Sequence, residues 1–168
     1  MAHRSQQWGF NIVELMMTLA VAAILMGMAL PSFSQMVYRN QMVSSANDMV
    51  SALQLARTQS VTRGRNAGIC GSSDGASCDE KWTQGYAIWV DVDRNGAASS
   101  DEIIKFFDTS PSLALTASNV IFDARGRPTS TVNDFVLTHN KCKKNRKLVN
   151  RIKIANTGRV AQSSEACS

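Results

Sequence analysis

The sequence is poor in the residues that most often carry catalysis. It has two histidines, His3 and His139, and the second lies in a strand-like run where a structural or surface role is expected. No His pair and no C-x-x-C pair offers a transition-metal site. The sequence also lacks a G-x-S-x-G elbow and a phosphate-binding loop. These absences predict a protein that is not an enzyme and holds no transition-metal cofactor.

The sequence also has a segment without any charged residue, residues 15–30, LMMTLAVAAILMGMAL. The basic leader MAHRSQQWG precedes this run, and one carboxylate, Glu14, lies at its front edge. An ionisable group inside a membrane segment is costly and therefore points to function. Residues 10–33 reach the ~20 residues that span a bilayer, which would leave His3 and Arg4 on the cytoplasmic side. The alternative to a functional Glu14 is an uncleaved signal anchor in which the glutamate occurs by chance.

The chain behind the apolar run has helical periodicity up to about residue 63. Pro31 is expected to kink this helix, and Gly64 is expected to end it. Small and apolar residues recur at spacings of three and four and predict a buried face. These are Met42, Ala46, Met49, Val50, Leu53, Ala56 and Ser60.

Beyond Gly64, short β-prone runs alternate with turn residues. Strands are predicted at residues 67–70, 86–90, 103–107, 120–122, 135–138 and 151–154. The predicted fold class is α+β, with a long N-terminal helix and an antiparallel sheet head. The predicted segments are a leader at 1–9, an apolar helix at 10–33, its amphipathic half at 34–64 and the head at 65–168. Trp82 and Trp89 are expected in the core.

All four cysteines lie after the apolar run. An even number in an exported domain predicts two disulfides, for which three connectivities exist. We favour the pairing of neighbours along the chain, Cys70–Cys78 and Cys142–Cys167, over free structural cysteines. The polar C-terminal AQSSEACS is expected to depend on a Cys167 disulfide for its order.

The acidic run DVDRNG and a later glutamate match the calcium-loop pattern D-x-[DN]-x-[DN]-G-x5-E. Asp91, Asp93, Asn95 and Glu102 would be the oxygen ligands. Apolar strand-like runs flank the pattern on both sides, which does not fit an EF-hand. The alternative is a solvated hairpin loop in which Asp, Asn and Gly form the turn.

Seven cations and no acid occur within the thirteen residues 141–153. They are Lys141, Lys143, Lys144, Arg146, Lys147, Arg151 and Lys153. Such a cluster attracts phosphates without reading sequence, so double-stranded DNA is a candidate partner. The alternative is a solvated loop that keeps the head soluble. Arg125 and Arg127 would extend the cluster if the fold brings them near.

The N-terminus, a short basic leader followed by G-F-N-I-V-E, resembles the class III signal of type IV pilins and type II secretion pseudopilins. The resemblance implies cleavage between Gly9 and Phe10 by a prepilin peptidase, followed by methylation of the Phe10 amine. It also implies that Glu14 neutralises that amine on a neighbouring subunit in the filament. Asn11 stands where these proteins usually have threonine.

The segment LQLARTQSVTRG resembles the L-x-x-A-R-S-E-A-x-x-R-G helix end of GspH/FimT minor pilins and pseudopilins, and GYAIWVD, IFDARGR and RIKI fit as well. This implies a single-pass inner-membrane precursor with a periplasmic head, later part of a pilus or pseudopilus. Its expected partners are other major and minor pilins, the inner-membrane assembly platform and the inner membrane itself.

The implied roles are pilus initiation, DNA uptake at the tip for natural transformation, or work as a minor pseudopilin in type II protein secretion. DNA-binding members of the family carry a Gly-Arg-x-Arg motif. Here that motif reads GRVA, so Arg159 is kept as a candidate DNA ligand and the second arginine is replaced by Ala161.

Overall fold

The fold is α+β, as predicted. The computed structural model describes residues 11–130 and 134–167, except for the side chains of residues 28–32. One helix, α1, covers Ile12–Arg63. Eight strands follow it: β1 Ala67–Gly71, β2 Gly85–Val90, β3 Ile103–Asp108, β4 Leu113–Thr116, β5 Val120–Phe122, β6 Asp134–His139, β7 Val149–Ile154 and β8 Val160–Glu165. A 3₁₀ turn, Ser100–Glu102, precedes β3.

Helix α1 ends at the glycine that the sequence marks as its stop. Gly64 has φ +62°, a left-handed conformation that glycine adopts without a steric cost. The Gly64 N–H donates to the Val61 carbonyl at 3.3 Å, and the Arg65 N–H donates to the Ser60 carbonyl at 3.1 Å. This pair of bonds is a Schellman motif, which satisfies carbonyls that the helix end leaves open.

The strands form two antiparallel sheets of four. The first has the order β3-β2-β1-β5 and the second the order β4-β6-β7-β8. Strands β1 and β2 are buried along their whole length. In β6 and β7, buried residues alternate with half-buried or exposed ones, the pattern of a sheet with one packed face.

The chain divides into two compact units between Val37 and Tyr38. The core of the second unit combines the predicted face of α1 with the inner faces of the sheets. From α1 it takes Met42, Ala46, Met49, Ala52, Leu53 and Ala56, all at most 2% exposed. Phe122 and Phe135 are the largest sheet residues that are fully buried there. Trp82 and Trp89 are also buried, as expected.

Two disulfides join neighbours along the chain. Cys70 pairs with Cys78, with the two Cα atoms 5.6 Å apart, and Cys142 pairs with Cys167 at 5.7 Å. The second bond fixes the end of the polar C-terminal segment, which mostly lies in β8. Strands β4 and β8 are the two described strands that the sequence runs did not predict.

In the described part of the chain, no helix combines the length and apolarity needed to cross a membrane. The membrane span at residues 10–33 therefore stays a prediction, as does the kink at Pro31.

Candidate functional site

The first candidate surface is the front of α1, in the first unit. Asn11 precedes the helix, and its side-chain oxygen accepts a hydrogen bond from the Val13 N–H at 3.3 Å. Asparagine is among the best residues for capping a helix start, so the change from the usual threonine keeps the cap. Glu14 lies in the first turn, where the helix dipole favours a negative charge. Gly9 and Phe10 lie outside the described residues.

Many large apolar side chains on this part of α1 are exposed, which is rare on the surface of a soluble monomeric protein. Ile12 is 74% exposed, Met17 72% and Phe33 66%. Others between 53% and 67% are Val13, Leu15, Met16, Leu19, Val21, Ile24, Leu25, Met26 and Met36. A contiguous apolar surface of this kind marks a site that another apolar surface covers.

The second candidate surface is the β6–β7 loop, residues 140–148, which carries the predicted lysines. Lys141, Lys143, Lys144 and Lys147 are exposed. None of the four forms an ion pair with an acidic residue that the structure describes. The loop is held at both sides. The Cys142–Cys167 disulfide anchors it, and the Cys167 N–H donates to the Arg146 carbonyl at 2.7 Å.

Arg146 also lies in this loop and is half-buried, whereas Arg151 and Lys153 belong to β7. Arg151 forms ion pairs with Asp134 and Glu165, each at 2.8 Å. Hydrogen bonds from the guanidinium to Glu165 and Asp134 raise the pKa of Arg151 above its usual value. Its charge is therefore already matched by two carboxylates. Lys153 is exposed and is the fifth residue of β7, about 16 Å along the strand from the loop.

Arg159 lies in the turn after β7, at the end of the strand opposite to the lysine loop. This turn touches the turn at residues 123–127, since a Cβ on Gly158 would lie 2.1 Å from the Gly126 carbonyl oxygen. The exposed residues Arg125, Arg127 and Arg159 therefore lie on adjacent turns. We call the two turns, residues 123–127 and 155–159, the arginine turns. Arg127 also pairs with Asp123 at 3.5 Å.

The residue that sequence reasoning missed is Arg57. Its Nε donates to the Gly126 carbonyl at 3.0 Å, and its Nη2 donates to the Thr157 carbonyl at 3.1 Å. It thus ties α1 to both arginine turns. Its place in the LQLARTQSVTRG motif is the signal that could have revealed it, although the motif alone does not name its partners.

The acidic pattern lies in the hairpin connection between β2 and β3. One carboxylate oxygen from each of Asp91, Asp93 and Glu102 lies within 4.8 Å of the other two. Asp91 and Glu102 are buried, while Asp93 and Asn95 are exposed. The Asn95 amide donates to Asp93 at 2.7 Å. The structure therefore brings the predicted oxygen ligands together.

The buried Glu102 carboxylate joins the two sides of this loop by hydrogen bonds. It accepts hydrogen bonds from the backbone N–H groups of Val92 (2.5 Å), Asp93 (3.2 Å) and Ser99 (3.1 Å) and from the Ser99 hydroxyl (3.1 Å). Burial alone would raise the pKa of Glu102, but these donors outweigh it and lower the pKa below its usual value. The carboxylate is thus held in its charged form.

His139 has the structural role expected for it. It is buried, its Nδ1 accepts from the Lys141 N–H at 3.0 Å, and its Nε2 lies 3.1 Å from the Gln41 side-chain oxygen. Its ring also contacts Tyr38, with centroids 4.8 Å apart. Burial, followed by the nearby Lys141 charge, lowers the pKa of His139.

Comparison with known proteins gives one family and one fold. The family model described as "Type II transport protein GspH" matches residues 45–158, more than half of the chain. No curated protein sequence matches the chain.

Two solved structures share its fold. The type IV minor pilin FimU of Pseudomonas aeruginosa matches with a TM-score of 0.59 and 20% identity, over 77% of this chain and 97% of the chain in the solved structure. The minor pseudopilin EpsH of the Vibrio cholerae type 2 secretion system matches with a TM-score of 0.53 and 12% identity, over 74% of this chain and 97% of the chain in the solved structure.

Proposed function

The chain belongs to the GspH family of minor pilins and pseudopilins, and from that premise we propose that it is a minor pilin of a type IV pilus. The observation that carries the proposal is the exposed apolar surface of α1 at residues 12–26 and 33–36. Burial of apolar area is the dominant favourable term in protein association. Helices of other pilins, packed side by side in a filament, supply the surface that would cover it.

Before assembly, the same segment is proposed to hold the subunit in the inner membrane with the head on the periplasmic side. A prepilin peptidase is proposed to cut between Gly9 and Phe10 and to methylate the new amine. Mass spectrometry of the protein from its own bacterium tests this step. The expected mass is that of residues 10–168 plus one methyl group. An intact leader contradicts it.

Glu14 is proposed to be the group that sets the position of this helix among its neighbours. A carboxylate that becomes buried in an apolar filament core needs a cationic partner. The Phe10 amine of an adjacent subunit is the partner that the cleavage creates. Docking and addition of the next subunit then depend on one ion pair.

The test replaces Glu14 by alanine in the chromosomal copy and measures the protein in membranes and in sheared filaments. Glu14→Ala is expected to accumulate in membranes and to be lost from filaments. Thr18→Ala, one turn away on the same exposed helix, is the matched control and should be incorporated normally. Normal incorporation of Glu14→Ala contradicts the proposed pair.

The choice of filament is a separate part of the proposal, because the fold is shared by FimU and by EpsH. A deletion of the gene is expected to reduce surface pili and to leave protein secretion intact. Reduced piliation with normal levels of the major pilin would support a role in initiation. The opposite result, lost secretion with normal pili, assigns the protein to a type II system.

A second candidate function is contact with double-stranded DNA. The observation that favours it is the β6–β7 loop, in which a disulfide-anchored backbone presents four exposed lysines that form no ion pair with any described acidic residue. Lysine ammonium groups bind phosphates as point charges. Each phosphate contact adds about 0.9 to the slope of log affinity against log salt.

The DNA proposal is tested with a salt series on duplexes of unrelated sequence. Replacing Lys141, Lys143, Lys144 and Lys147 by glutamine is expected to weaken binding and reduce the slope by several units. Replacing Arg125, Arg127 and Arg159 by glutamine is the comparison at the opposite end of β7. Equal losses in both variants would show attraction by net charge alone and would contradict a site on the loop.

A further inference from the structure

We propose that the β2–β3 connection, residues 91–102, is a calcium-binding loop. This inference does not depend on the filament to which the protein belongs. It rests on the arrangement of Asp91, Asp93, Asn95 and Glu102 in the folded chain. We call this segment the acidic loop.

The first observation is a buried oxygen without a partner. Asp91 is 3% exposed, and its Oδ2 accepts a hydrogen bond from the Gly96 N–H at 3.2 Å. Its Oδ1 is buried and has no hydrogen-bond partner among the described residues. Leaving a buried carboxylate oxygen unsatisfied is costly. A cation that binds this oxygen removes the cost.

The second observation is the concentration of negative charge. Oxygens of Asp91, Asp93 and Glu102 lie within 4.8 Å of one another. Three like charges at that distance repel each other. Arg65 donates to the Val92 carbonyl, and in the described part of the chain neither Arg65 nor Arg94 forms an ion pair with these carboxylates. A divalent cation among the three oxygens converts this repulsion into attraction.

The third observation is the backbone of the loop. Calcium loops of twelve residues take ligands from positions 1, 3, 5 and 12, with glycine at position 6 for the sharp turn. Here these positions are Asp91, Asp93, Asn95, Glu102 and Gly96, and Gly96 has φ +79°. The folded loop has therefore retained both the spacing and the turn that the ligand pattern requires.

The ligands differ in how available they are. Glu102 already accepts four hydrogen bonds, which fill the lone-pair sites of a carboxylate. We assign it the role of a fixed charge at the base of the loop. Asp91 Oδ1 has no partner among the described residues, and each oxygen of the exposed Asp93 carboxylate accepts one hydrogen bond from Asn95, which leaves it a free lone pair for a cation. Hard oxygen donors of this kind select calcium or magnesium rather than softer metals.

Calcium is favoured over magnesium by the form of the site. Magnesium demands a near-ideal octahedron at short distances, whereas calcium accepts six to eight oxygens in flexible geometry. The acidic loop is exposed at Asp93 and Asn95, so water can complete the coordination. A dissociation constant of about 10⁻⁴–10⁻³ M is expected, the range of weak extracellular calcium modules.

The test uses the full chain in detergent, first stripped with a chelator and then titrated with calcium chloride by calorimetry. One calcium per chain is expected. At about 10 mM calcium the midpoint of thermal unfolding should rise by about 5 °C. The same concentration of magnesium should give a clearly smaller rise. No heat and no shift at this concentration overturns the proposal, and so does an equal response to magnesium.

Variants locate the ion. Asp93→Asn removes an exposed donor and is expected to weaken calcium binding by about tenfold or more while the chelated protein keeps its stability. Asp91→Asn should weaken it as well, but it also disturbs the bond to Gly96. Asp101→Asn is the matched control, because it removes an exposed charge from the same loop outside the cluster. If Asp101→Asn weakens binding as much as Asp93→Asn, the attraction is diffuse and the site is refuted.

Discussion

Gly158 combines a left-handed backbone with an absence of space for a side chain. Its φ is +78°, and a Cβ would lie 2.1 Å from the Gly126 carbonyl oxygen and 2.7 Å from the Arg57 Nε. Gly64 has a similar φ of +62° but open space around it. The comparison of the two separates backbone strain from steric conflict.

Gly158→Ala is therefore expected to destabilise the protein more than Gly64→Ala. Backbone strain costs about 1–2 kcal/mol in both variants, and the clash at Gly158 adds about 1–3 kcal/mol. Denaturant unfolding of the two variants beside the wild type measures the difference. Equal losses of unfolding free energy in the two variants would show that the turns at residues 123–127 and 155–159 can move apart without an energetic cost.

Arg57 holds the same two turns from the helix side. Arg57→Ala removes two charged hydrogen bonds to carbonyls, and a loss of about 2 kcal/mol in unfolding free energy is expected. Arg57→Lys should recover only part of it, because an ammonium cannot reproduce the fork of a guanidinium. Arg39→Ala, an exposed arginine of the same helix, is the control and should have little effect.

His139 predicts a dependence of stability on pH. Its folded pKa is lowered by burial and by Lys141, so folding favours the neutral ring. Its contribution is complete above the unfolded pKa of about 6.5 and is lost as the pH falls through the folded pKa. Unfolding free energy should therefore be lower at pH 5.5 than at pH 7.5. In His139→Gln this difference should disappear; if it persists, another group titrates.

At the scale of elements, the two disulfides differ in the length of chain that they close. They span 25 residues for Cys142–Cys167 and 8 for Cys70–Cys78. Loop-closure entropy gives stabilisations of about 3.5 and about 2.5 kcal/mol respectively. The Cys142→Ser/Cys167→Ser variant should therefore be less stable than Cys70→Ser/Cys78→Ser.

The longer disulfide also has a local effect that the shorter one lacks. Strand β8 is an edge strand that pairs with β7 alone and is mostly exposed. Without the Cys167 tether, amide exchange in β8 should accelerate before that of β6 and β7. Uniform acceleration over the whole second sheet would contradict this local account.

Strand β8 also shows where sequence reasoning stops. The helix face and the strands β1, β2, β3, β5, β6 and β7 have apolar patterns of their own, and the structure has an element at each. The sequence VAQSSE of β8 has no such pattern. This strand is ordered instead by its backbone hydrogen bonds to β7 and by the Cys142–Cys167 disulfide. Strand β4 follows a Ser-Pro-Ser loop and is only four residues long.

Pairings between distant segments were also beyond the sequence. Strand β5 pairs with β1, and β4 pairs with β6, so the head divides into two sheets rather than one. The same long-range packing separates Arg159 from the lysine loop and joins it to Arg125 and Arg127. The sequence could group the cations of residues 141–153 by spacing, but it left open whether Arg125 and Arg127 lie near them. The ligand spacing of the acidic loop, whose contacts are local, could be predicted directly from the sequence.

For the whole molecule, the division between Val37 and Tyr38 separates two tasks. Every buried apolar residue of the described chain lies at or beyond Met42, whereas the exposed apolar stretch lies before it. The fold of the second unit therefore has no need of the first for its core. Association with membranes and with other pilins is the work that we propose for the first.

A chain that begins at Tyr38 is accordingly expected to fold without detergent. It should unfold at nearly the same temperature as the full chain in detergent and should elute as a single species in size-exclusion chromatography. The full chain should aggregate when the detergent is removed, because the exposed apolar side chains of residues 12–26 and 33–36 are then in contact with water. Loss of the β-sheet signal in the shortened chain would show that the first unit contributes to the stability of the head.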